Sequence, residues 1–256
     1  MTYTTNYNLN KPESTDTVDI EDLNENADAI DIAISRKNWF RNSCFHIWQR
    51  GTSFVAPSNI YTADMFICNG SGTVSKVDEG LQITGTVNVK QKITDEDFAK
   101  LEGKTVTLSY SLSGIISSST FALSDTVPLD LDITDEILNW VKLEEGPGRT
   151  MYEYSNRDDD LNYCRQHYLP NFYGETFVYQ VSTNEVYFAF NVPSMRVNSP
   201  TITITSATVA VSAVTGYTWE VIYNDNNRVG IRGTKANHGI SAGAYARALI
   251  TMNAGL

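Results

Sequence analysis

Apolar residues fall at Ile20, Leu23, Ala27, Ile30 and Ile34, spaced three, four, three and four, with Asp, Glu and Asn between them. That spacing draws one apolar stripe along a helix. Asp19 is placed to cap it, and Glu21 and Asp22 suit the positive end of the helix dipole. A seam of ~15 residues is too short to stay helical alone in water. A seam of this a/d kind is most simply covered by copies of itself, so the spacing predicts an oligomerisation helix; packing against the chain's own β-domain is the other way to cover it. The preceding "MTYTTNYNLNKPESTDT" has no period and needs a partner surface to become ordered.

From Asn38 the period changes to two. "TVSKVDEGLQITGTVNVKQKI", "KTVTLSYSLSGII" and "STFALSDTVPLDLDI" alternate apolar and polar residues between glycine turns, the pattern of an antiparallel sandwich. One break, "TDEDFAKLEGK", reads as a short helix. Asp95 to Asp97 fill its first turn, Phe98 and Leu101 face inward, and Gly103 ends it. "ILNWVKLEEGPG" is a strand closed by Gly-Pro-Gly. Asp158 to Tyr168 then predicts a helix capped by Ser155 or Asn156, with acids in its first turn and Leu161, Cys164 and Tyr168 on one face; Pro170 stops it. Beyond Pro170 the β pattern returns, with "NDNN" as a hairpin turn between "WEVIY" and "RVGI".

The chain is therefore mainly β: an N-terminal helix followed by a β-sandwich and a second, smaller antiparallel β-domain. The expected divisions are an arm and attachment helix at 1–37, a sandwich at 38–147, a helical elbow at 148–170 and a C-terminal β-domain at 171–256.

Composition narrows the function. The chain has 256 residues, 41% of them hydrophobic and 19% charged, which suits globular domains. A net charge of -11 with no Lys/Arg-rich block argues against nucleic acid as a partner. Cys44, Cys68 and Cys164 form no CxxC and cannot all pair, so they read as reduced and packed, with no disulfide framework and no zinc knuckle. The first residues form no secretory signal, and no stretch nears the ~20 apolar residues of a membrane span, so the expectation is synthesis in a cytoplasm without membrane insertion.

Several residue groups invite chemistry. Cys164 and His167 lie three apart on the elbow helix, conceivable as a thiolate–imidazole pair or as half a metal site, but nothing in sequence supplies an orienting Asn or Asp, or further ligands. Asp130 and Asp132 in "PLDLDIT" share one strand face, with Leu129, Leu131 and Ile133 on the other. Two strand positions separate those carboxylates by roughly 6.5–7 Å at the backbone, near the spacing of glycosidase acids; a solvated surface or a Ca²⁺ site are the other readings. Trp48 in "WQRG" is either a sugar platform or, with Phe45, Ile47 and Phe54, core and edge. The aromatic residues Phe172, Tyr173, Tyr179, Tyr217, Trp219 and Tyr223, beside loops holding Asn224, Asp225, Asn226, Asn227, Arg228, Asn237 and His238, suit recognition of hydroxyl-rich ligands. From these, Tyr173, Tyr217, Trp219, Tyr223, Asn226, Arg228 and His238 are the candidate glycan-binding residues. No GxSxG, P-loop, HExxH or GxGxxG occurs in a useful context, so the expectation is a non-enzyme with no cofactor and no metal.

Four phrases, in order, resemble the tail-associated fibre, baseplate and receptor-binding proteins of tailed bacteriophages and prophage-derived particles. "NYNLNKPESTDTVDIEDLNENADAIDIAI" is similar to their N-terminal attachment segment. "NWFRNSCFHIWQRGTSF" with "YTADMF" is similar to the opening of a carbohydrate-binding-like jelly roll in that family. "WVKLEEGPGRTMYEYSNRDDDLNYCRQHY" resembles its close, and "NVPSMRVNSPTITI" the start of a later strand pair. Met65-Phe66 departs from the usual Arg-Trp, and Gln166-His167 from the usual Gln-Arg or Arg-Tyr. The resemblance implies a jelly-roll sandwich in a homotrimeric virion component. Its arm would grip other tail, baseplate or capsid proteins, and its multivalent outer end would bind a host surface polysaccharide. A capsid head fibre or decoration protein, and a cell-wall glycan hydrolase, are the alternatives.

Overall fold

The computed structural model describes residues 2–3, 9–13, 15, 17, 19–34, 36–182, 184–195, 200–209, 217–225, 228–235 and 244–254. The chain divides into two compact units, residues 1–157 and 158–256, and the described elements are mainly antiparallel strands.

The first unit opens with a two-residue pairing of β1 (Thr2–Tyr3) with β2 (Asn10–Lys11), followed by helix α1 (Ile20–Ala33). Asp19 caps α1 by accepting from Glu21 N, as its position predicts. Within the described part of the arm, Asn10 is bound to α1. Asn10 N donates to Asn26 Oδ1 at 2.6 Å, Asn26 Nδ2 returns to Asn10 O at 2.9 Å, and Asn10 Nδ2 reaches Glu25 Oε2 at 2.9 Å. Asn10 is thus held on Asn26 and Glu25, while Ile20, Leu23, Ile30 and Ile34 stay exposed.

A sandwich follows, built from β3 (Ser53–Val55), β4 (Ile60–Tyr61), β5 (Phe66–Gly70), β6 (Thr73–Val77), β7 (Gly80–Thr84), β8 (Thr86–Gln91), helix α2 (Asp95–Leu101), β9 (Thr105–Leu112), β10 (Ile115–Ala122), β11 (Leu129–Thr134) and β12 (Ile137–Glu145). The six-stranded sheet runs β10-β9-β12-β7-β6-β3 and the four-stranded sheet β11-β8-β5-β4. Period-two alternation fills the core from both. Phe66, Cys68, Val87, Val89 and Leu129 come from one sheet, and Val74, Ile83, Val106, Val141 and Leu143 from the other, all buried. Each such large side chain contributes about 1.5–3 kcal/mol over its exposed state. Gly103 follows α2 at φ 73°, as the sequence predicts, and Thr94, which the sequence pattern does not single out, caps the helix through its hydroxyl.

The second unit begins at Asp158, one residue into α3 (Arg157–His167), which runs straight into β13 (Tyr168–Phe177). Here the expectation needs correcting. The helix stops before Pro170, which lies inside the strand at a bulge between Leu169 and Phe172, beside Asn171 at φ 52°. A bulge is where a strand tolerates proline's missing N–H. The helix face also differs from the expected one: Asp160, Cys164 and His167 are its buried residues, while Leu161 is half-buried. The remaining strands are β14 (Gln180–Val181), β15 (Glu185–Asn191), β16 (Thr201–Val209), β17 (Thr218–Asp225), β18 (Arg228–Thr234) and β19 (Tyr245–Asn253). They form a three-stranded sheet β13-β19-β16 and a four-stranded sheet β14-β15-β18-β17. Val186, Phe188, Phe190, Val229 and Ile231 meet Ala248, Ile250 and Met252 in one core. The register of β17 with β18 closes at Asp225 opposite Arg228, where "NDNN" predicts the hairpin.

Candidate functional site

The apolar stripe of α1 is the first candidate surface. Ile20 is 71% exposed, Leu23 51%, Ile30 44% and Ile34 60%, and Ala27 is exposed as well. Ile20, Leu23, Ala27 and Ile30 share one side of a 14-residue helix, and Ile34 follows at its C-cap. An exposed apolar stripe of this extent is the usual mark of an interaction surface.

The family-like phrases resolve into clamps. Arg50 of "WQRG" donates to Asp64 of "YTAD" at 2.6 Å and lies over the Tyr61 ring at 4.8 Å. Asp64 also accepts from Gln49 N at 2.8 Å. Burial pushes the Asp64 carboxyl above its ordinary value, opposed by that backbone bond and by the Arg50 charge. Trp48 is half-buried, donates Nε1 to Phe45 O at 2.5 Å and stacks on Phe54. The "KLEEGPGRT" phrase folds over β12 in the same manner, with Lys142 and Glu144 buried against Thr150. Both phrases hold loops to the sandwich.

Asp130 and Asp132 stand exposed on β11, and both accept from Asn88 Nδ2, at 2.7 and 3.0 Å. Lys90 adds an ion pair to Asp130 at 3.0 Å. The Asn88 hydrogen bond, then Lys90, hold the Asp130 carboxyl below its ordinary value. A glycosidase acid needs the opposite shift, so Asp130 is a poor proton donor at neutral pH.

Cys164 and His167 are both buried on α3. A thiol–imidazole contact that the sequence does not single out joins Cys44 Sγ to His46 Nδ1 at 3.3 Å. Among the described residues no group of three or more His, Cys, Asp or Glu stands ready to hold a metal ion, and no helix is long and apolar enough to cross a membrane.

The predicted glycan-binding residues are dispersed over the second unit. Tyr217 and Trp219 stack on each other at 4.9 Å and pack half-buried against the core, with Lys235 over the Tyr217 ring at 5.6 Å. Trp219 lies against Gly233 and meets Phe188 edge-on. Tyr223 sits in β17 opposite Gly230, and Arg228 is exposed at the start of β18. Asn226 and His238, with Asn227 and Asn237, lie outside the described residues. Tyr173 belongs to the other sheet, on its outer face.

That outer face is the aromatic surface the sequence does not assemble. Along β13 the inward positions are Phe172, Gly174 and Thr176, which leaves Tyr173, Glu175 and Phe177 exposed. Cross-strand pairing sets Phe177 opposite Tyr245, Glu175 opposite Arg247 and Tyr173 opposite Leu249. The Phe177 ring, 63% exposed, meets Tyr245 edge-on at 6.2 Å, and the Arg247 guanidinium lies 6.0 Å from the Tyr173 ring. Tyr245 hydrogen-bonds Glu175, which pushes its phenol up to about 12. Exposed Thr201 and Thr203 on β16 extend the face with hydroxyls. Flat apolar rings beside a carboxylate, a guanidinium and hydroxyls match the alternating apolar and polar faces of a sugar. The signal in sequence was the alternation in "NFYGETF" and "AYARALIT", legible only once the two strands pair. Comparisons with protein families, with curated proteins and with solved structures give no match.

Proposed function

We propose that the chain is a multivalent attachment component of a phage-like particle, a short tail fibre or receptor-binding protein. Helix α1 joins copies of the chain, three about one axis, and its arm engages tail, baseplate or capsid proteins. The two β-units form the body, and the outer face of β13-β19-β16 binds a host surface glycan. The observation that carries this reading is the uncovered stripe Ile20, Leu23, Ile30 and Ile34. Linking weak sites raises overall affinity by about 10²–10⁴ without a new contact, which is how a shallow sugar face would hold a cell.

The test is sedimentation of the full chain beside Leu23→Asp/Ile30→Asp, together with binding to purified host wall polysaccharide. Assembly in threes in the unaltered chain (three copies or a multiple of three), loss of the threefold association in the variant and a fall in polysaccharide binding by at least tenfold support the reading. A full chain that sediments as one folded copy removes it. Phe177→Ala and Tyr173→Ala should each weaken binding by about 1–2 kcal/mol per site if the rings are central to the contact, without changing the assembly. Release of soluble sugar from host wall, abolished by Asp130→Asn or Asp132→Asn, would instead establish the hydrolase.

A further inference from the structure

β10 is the end strand of the six-stranded sheet and, among the described residues, pairs with β9 alone. Its outer edge therefore presents a row of unpaired backbone N–H and C=O groups. Proteins ordinarily blunt such an edge with Lys, Pro, a bulge or a very short strand. None of these is present. β10 is eight residues of "IISSSTFA", without charge or proline, and its register with β9 is unbroken from Ile115 to Ala122. Ile115 is 73% exposed, Ile116 47%, and Ser118, Ser119 and Thr120 are exposed as well.

The strand is complementary to itself. Pairing with β9 puts Ile115, Ser117, Ser119 and Phe121 on the side of Val106 and Leu108, and Ile116, Ser118 and Thr120 on the other side. A twofold axis through Ser118, perpendicular to the sheet, sets two copies antiparallel with every side chain opposite one from its own face. Ile115 then meets the copy's Phe121, Ile116 the copy's Thr120, Ser117 the copy's Ser119, and Ser118 its own equivalent. Ile115 and Phe121 are both apolar, the serines pair hydroxyl with hydroxyl, Ile116 meets the methyl-bearing Thr120, and no charges oppose each other. A slip of one residue would mismatch the faces. For a chain of net charge -11, an uncharged edge is where a second copy approaches at least electrostatic cost.

We propose that β10 is a self-pairing edge, joining two copies antiparallel about Ser118 into one continuous sheet. The contact is separate from helix α1 and does not depend on the attachment reading. It links copies that the helix does not.

The experiment is sedimentation velocity on four full-length proteins: the unaltered chain, Leu23→Asp/Ile30→Asp, Ser118→Lys/Thr120→Lys, and the two pairs combined. The helix variant should sediment as a dimer and the combined variant as one copy, because lysines at Ser118 oppose each other on the axis and shield the edge. Ser118→Thr in the helix variant should keep the dimer. Amide hydrogen exchange across Ile116–Phe121 should slow as concentration rises in the helix variant and stay fast in the combined one. A helix variant that is already a single copy, or a dimer that survives the lysines, overturns the proposal. If the helix variant matches the unaltered chain while the lysines alone abolish assembly, the edge stands and the helix reading fails.

Discussion

Lys142 Nζ lies 3.2 Å from Glu144 Oε2, two positions along one strand, and both side chains are fully buried. Their common partner is Thr150. Its backbone N–H donates to Glu144 Oε1 at 2.8 Å, and its hydroxyl donates to Glu144 and accepts from Lys142 at 2.6 Å. Lys142 also donates to Met151 O, and Arg36 N donates to the Thr150 hydroxyl. Removing one charge from such a pair strands the other in a dry site, at a cost of about 3–5 kcal/mol. Glu144→Leu alone should therefore lower the thermal midpoint of the first unit sharply in calorimetry. Lys142→Met/Glu144→Leu together should recover most of it, since no lone charge remains. Equal loss in the single and the double variant would show that packing, and not the pair, sets the stability there.

Gly233 and Trp219 give a second expectation. They face each other across β17 and β18, and a Cβ built at Gly233 falls on the indole ring. The glycine is what allows the ring to lie flat beside the core. Gly233→Val should displace Trp219 at a cost of about 1–3 kcal/mol. Tryptophan fluorescence should shift to the red as the ring gains water. Unchanged fluorescence with a normal midpoint would mean the ring has another place to pack.

The sequence carried the elements well and the surfaces poorly, for a physical reason. The period of Ile20 to Ile34, the cap at Asp19 and the Gly103 stop are local, so spacing alone predicts them. The faces of strands depend on register and bulges, which are not local. Phe177 and Tyr245 are 68 positions apart and meet only through the β13–β19 pairing. Tyr217 and Trp219 look like an exposed aromatic pair, yet inward alternation on β17 sends Trp219 to the core. Arg50 belongs to a phrase that suggests a sugar platform, yet it spends its charge on an internal carboxylate, as Lys142 does on Glu144.

The three thiols carry a third expectation. Cys44, Cys68 and Cys164 are buried thiols outside any disulfide, and burial pushes the Cys68 thiol up to about 11. The thiolate is the reactive form, so the native protein at neutral pH should react with a thiol reagent far more slowly than after denaturation, when all three titrate. A thiol that reacts at once in the folded chain would mark a site held open for chemistry, and Cys164 beside His167 would be the first to map.

Tyr245 and Glu175 make the outer face of the second unit sensitive to alkali. The phenol donates to the carboxylate, and that bond, with burial second, raises the Tyr245 value from its ordinary 10.0 to about 12. A raised value means the neutral phenol is favoured by folding. Its contribution is whole below about pH 10, fades between 10 and 12, and is gone once the folded group ionises. An absorbance titration of tyrosinate, taken as the difference between the unaltered chain and Tyr245→Phe, should isolate one phenol ionising near 12. Glu175→Gln should return it toward the ordinary value and remove the alkaline loss of stability that this pair produces. A Tyr245 that titrates at 10 in the unaltered chain would mean that the Glu175 bond does not persist in solution, and the Phe177–Tyr245 edge would then be free to re-orient around a ligand.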